Sequence, residues 1–123
     1  MAFGILLILA GLMGAGGVAL AAAAAHAAPH AGLDGAAYLL VFHATAILGG
    51  TALMKQGLLW RPLTLAALIG FVVGAGLFAG DLSLRAFAGH RLFPMAAPAG
   101  GTILIVAWLA LSVAGLAGLF QRG

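Results

Sequence analysis

Asp81 and Arg85 stand four residues apart in a long apolar run, the spacing that puts a carboxylate and a guanidinium on one helix face and lets them pair. His43 lies inside a second apolar run, where an imidazole can bind a ligand, handle a proton or hydrogen-bond a neighbouring helix. His26 closes a third. Two readings follow for His26, His43, Asp81 and Arg85. They form a ligand- or proton-handling cluster, or they are structural, with His43 a neutral packing imidazole and Asp81 with Arg85 a stabilising ion pair. His26 and His43, helped by His30, His90 or Asp81, also have the chemistry for a divalent metal or a haem. Neither HExxH nor any cysteine motif supports that, so no metal site and no cofactor is expected.

Catalysis finds no constellation. There is no cysteine, no GxSxG and no pair of carboxylates, and Ser83 and Ser112 sit in different regions without a base. GAGG at Gly14 to Gly17 lies inside an apolar run and lacks the strand and lysine of a phosphate-binding loop. The chain is expected not to be an enzyme.

What must position these side chains is membrane-spanning helix. Of 123 residues 65% are hydrophobic and 6% charged, with a mean hydropathy of +1.25, whereas soluble domains carry about 25% charged residues. A soluble fold of this size cannot hide so much apolar surface. Five Lys and Arg against two acids make no basic patch, so nucleic-acid binding is not expected. The apolar segments run at about residues 3–26, 36–54, 62–84 and 98–120, broken by Pro29, Gly32, Asp34 and Gly35, then by Lys55, Gln56, Gly57 and Pro62, then by Pro94 and Pro98. Each approaches the roughly 20 residues a helix needs to cross the hydrocarbon core. Uninterrupted apolar runs are not the alternating pattern of a barrel. The reading is an all-α, polytopic membrane four-helix bundle, residues 1–123 forming a single integral membrane domain. The first run lacks a basic start and is longer than a cleavable signal core, so it is expected to stay as a helix.

Antiparallel threading gathers His26, His30, Asp34, His43, Asp81, Arg85, His90 and Arg91 toward one membrane face, and leaves Lys55, Gln56, Arg61, Gln121 and Arg122 at the other. Three cations against two favour the second face as cytoplasmic, with both chain ends inside. Tyr38 and Trp60 fall where interfacial aromatic anchors belong. Gly70 with Gly74 and Gly76 with Gly80 are small-x-x-x-small pairs on different sides of the third helix, suited to close packing in the bundle or in an oligomer.

Four stretches carry a family resemblance: AAAAAHA around His26, YLLVFHATAIL from Tyr38, LFAGDLSL from Leu77 and PAGGTILIVAW from Pro98 to Trp108. In order and spacing they resemble the small membrane family described as domain of unknown function 423, which is similar to the animal transmembrane protein 256 group. The resemblance implies a four-helix inner-membrane protein without an established activity. This chain differs from it in having Asp81 where a small polar residue is more usual, and an alanine-rich stretch before His26.

The function expected is therefore that of a small, non-catalytic protein of the bacterial inner membrane, self-associating or accessory to another membrane protein, with the lipid bilayer as its surroundings. The alternatives are a small transporter or channel, and a metal- or haem-binding electron-transfer module. Small multidrug exporters, which the chain matches in size, use a glutamate in the first helix, and this chain has no glutamate.

Overall fold

In a computed structural model, residues 1–27, 29 and 32–122 are described, Arg122 by its backbone alone; His30 lies outside the described residues. The described residues fold into four helices: α1 (Ala2–His26), α2 (Leu33–Lys55), α3 (Arg61–Phe87) and α4 (Ala96–Arg122). Their 23 to 27 residues reach about 35–40 Å at about 1.5 Å per residue, enough to cross a hydrocarbon core of about 30 Å. All four are apolar enough to do so.

The ends are set by local chemistry. After α2 the chain turns through Gly57 in the left-handed region (φ 78°), Gly57 N–H donating to the Met54 carbonyl and Leu58 N–H to that of Leu53. This paired arrangement satisfies the last carbonyls of a helix, and glycine adopts it without a Cβ penalty. Pro62 follows in the first turn of α3, where its missing N–H costs nothing. The apolar runs expected at 36, 62–84 and 98 extend further. α2 begins at Leu33 because that side chain is buried. α3 continues to Phe87, giving way at Ala88 and the left-handed Gly89 rather than at Pro94. α4 starts upstream of Pro98, a proline that the first turn tolerates.

The helices pack as a bundle with α2 and α3 at its centre. α1 lies against α2, α2 against α3 and α3 against α4; α1 only grazes α3 and does not meet α4. Burial follows that order: 44% and 39% of the most apolar windows of α2 and α3 are buried, against 17% and 22% in α1 and α4. The core runs through Leu6, Ala10, Ile47, Leu68, Phe71 and Leu104. Outside it, Ile8, Leu12, Val18, Leu109 and Phe120 are exposed, and only lipid solvates such a surface. The chain is a multi-pass membrane protein.

Glycine sets how closely the axes approach. A Cβ on Gly74 would lie 2.8 Å from the Gly100 carbonyl oxygen, and one on Gly100 would lie 2.6 Å from that of Gly74. Gly70 faces Ala107 at the same α3–α4 crossing. Gly17 fits against Ala37, Leu40 and Val41 between α1 and α2. Near the end of α4, Gly118 sits under the Leu58 carbonyl of the α2–α3 turn. Trp60 N–H donates to the Ala114 carbonyl, tying that turn to α4.

Candidate functional site

His43 is ten residues beyond Leu33, about 15 Å along the axis and near the middle of the span. It is buried at 4% exposure. Its Nδ1 lies 2.7 Å from the Leu39 carbonyl one turn earlier, and its Nε2 lies 3.0 Å from the indole Nε1 of Trp108. An indole N–H only donates and a carbonyl only accepts, so the ring carries its proton on Nδ1 and is neutral. Phe71 meets the imidazole edge-on, with centroids 5.1 Å apart, and also packs on Trp108 at 4.6 Å. The three rings join α2, α3 and α4. Both imidazole nitrogens already have a partner, so binding a metal there requires one of those hydrogen bonds to break.

Asp81 is fully buried near the end of α3. Arg85 Nε donates to its Oδ2 at 3.0 Å, and Arg85 Nη2 reaches the same oxygen. Oδ1 accepts the backbone N–H of Leu92 at 2.9 Å. One carboxylate thus holds both the last turn of its own helix and the connection to α4. Arg85 remains partly exposed, its side chain at 37%, and its charge offsets the cost of burying the acid.

Of the group expected at one membrane face, Asp81 and Arg85 pair, whereas His43 stands apart from Asp81 and His26. Phe71, at the level of His43, is ten residues before Asp81 on α3, which separates the two by about 15 Å. Gly14 of α1 lies at the level of Ala44, so His26, twelve residues on, stands about 18 Å from the His43 level. His26 is exposed at the last turn of α1, and the exposed His90 turns its Nδ1 to the Arg91 carbonyl, 3.0 Å away. Among the described residues no three His, Cys, Asp or Glu side chains come together as a metal site.

The glycine pairs also divide. Gly70 and Gly74 make the α3–α4 crossing, but a Cβ on Gly76 or Gly80 would meet nothing within 4 Å. Both line an open groove of about 560 Å³ between α1 and α3, opposite Gly16, Ala19, Leu20 and Ala23. Sequence reasoning missed Trp108. Its signal was an indole twelve residues into α4, far from the interface where tryptophan usually sits and in need of an acceptor. Thr51 was missed as well; its Oγ1 is buried with no hydrogen-bond partner among the described residues. Compared with family models, with curated proteins and with solved structures, the chain has no match.

Proposed function

We propose that this chain is a non-catalytic protein of the bacterial inner membrane that works by associating with other membrane helices, those of a second copy or of a larger protein it accompanies. The observation that carries the reading is the contrast between engaged ionisable groups and an unoccupied small-residue face. His43 and Asp81, the ionisable side chains buried in the spans, are engaged by Leu39 and Trp108, and by Arg85 and Leu92. A Cβ on Gly76 or Gly80 would meet nothing within 4 Å among the described residues, and Gly16, Ala19 and Ala23 on the wall opposite are small as well. In lipid, helices associate where small residues let backbones come close. A transport cycle needs a group free to exchange partners, and Asp81 anchors the α3–α4 connection instead. Lys55, Arg61 and Arg122 favour the α2–α3 turn as the cytoplasmic side.

Crosslinking in native membranes, followed by native mass spectrometry, tests this. The expected result is a homo-oligomer or a stoichiometric copurifying membrane protein that Gly80→Leu disperses while the monomer stays folded. A strict monomer without a copurifying protein overturns it.

A further inference from the structure

The seam between α1 and α3 changes character along its length, and at the α2–α3-turn face it ends in an uncompensated cation. There the groove is smaller, about 230 Å³, and its walls are Ile5, Leu6 and Leu9 of α1 and Leu65, Ile69 and Val72 of α3. Arg61, the first residue of α3, falls on the same helical stripe as Leu65, Ile69 and Val72. Its guanidinium lies over the Phe3 ring, 5.0 Å from the centroid. A ring face stabilises the cation but accepts none of its N–H donors. Among the described residues those donors have no protein acceptor, and Arg61 is exposed. Neither acidic side chain can supply one. The chain's two acids, Asp34 in the first turn of α2 and Asp81 near the end of α3, belong to the opposite membrane face.

We propose that this end of the α1–α3 seam binds an anionic phospholipid of the bilayer, one acyl chain lying in the apolar groove and the phosphate hydrogen-bonded by Arg61. Branched side chains make a groove suited to a flexible hydrocarbon, and a planar guanidinium at its mouth matches a phosphate in charge and in donor geometry. The inference does not depend on the helix association proposed above, which involves the other, glycine-lined end of the seam.

Delipidated full-length protein titrated with dioleoyl phosphatidylglycerol and dioleoyl phosphatidylcholine, read by native mass spectrometry, tests the site. The phosphatidylglycerol adduct is expected to be favoured about fivefold, the effect of one cation near a headgroup. Arg61→Gln equalises the two lipids and Arg61→Lys keeps a preference, so a loss through misfolding is told apart from a loss of charge. Ile69→Trp, which fills the groove, reduces both adducts. Lys55→Gln, on the same face but outside the groove, leaves the preference within about twofold. Equal binding in the wild type overturns the proposal, as does a preference that survives Arg61→Gln or disappears with Lys55→Gln. A groove occupied by a second copy, seen as a dimer that Ile69→Trp disperses, overturns it too.

Discussion

His43 and Trp108 are the pair on which residue-scale energetics turn. Removing the indole N–H leaves Nε2 of a buried imidazole without a donor in a medium that offers no water. Interhelical hydrogen bonds in lipid contribute about 0.6 kcal/mol on average, and at most about 1.7 kcal/mol, when measured by double-mutant cycles. Trp108→Phe keeps an aromatic ring against Phe71 but deletes the donor together with part of the indole, so it is expected to destabilise the fold by about 1 kcal/mol or more. His43→Phe should cost a similar amount, and the double variant less than the sum, when unfolding is followed in detergent. Strict additivity would mean that the 3.0 Å contact contributes nothing. The depth of His43 and its need for a partner could be read from its place in an apolar run. The partner's identity could not, because the backbones of α2 and α4 do not come close, and only the long indole of Trp108 reaches the imidazole, beside Phe71.

At the scale of helices, the existence of four spans follows from apolar length alone, since each must satisfy its own backbone in lipid. The close approaches are less legible: of two similar glycine pairs on α3, only Gly70 and Gly74 have α4 against them. Equal spacing in a sequence marks two faces able to take a helix but does not say which is filled within the chain. The difference is measurable. At Gly74 a methyl group would collide with the Gly100 carbonyl oxygen, so Gly74→Ala must push α3 and α4 apart, at a cost of about 1–3 kcal/mol. Gly101→Ala, one residue beyond that contact and with nothing within 4 Å of the new methyl, should be neutral or stabilising by up to about 1 kcal/mol. Thermal unfolding of the two variants beside wild type checks this; equal losses would show that backbone conformation, not the crossing, sets the response.

Across the whole molecule the two membrane faces differ in how their charges are held. The face with the α2–α3 turn carries Lys55, Arg61 and Arg122 and neither acidic side chain. The other carries Arg85, tied to Asp81, and Arg91, with Asp34 exposed in the first turn of α2, where an anion also suits the helix dipole. Orientation follows cations near the ends of spans more than net charge, so the contrast that counts is three Lys and Arg against two. The proposed orientation, with the α2–α3 turn in the cytoplasm, would also bring Arg61 to anionic lipids. The chain has no cysteine, so one introduced thiol is a unique reporter of side. Gln56→Cys, in the α2–α3 turn, should resist an impermeant maleimide in intact cells and react after lysis, while His90→Cys, in the α3–α4 connection, should react in both. The reverse pattern would invert the topology and move the Arg61 face away from the cytoplasm. Equal labelling of both in intact cells would contradict the alternation of faces on which the separation of the two charge sets rests.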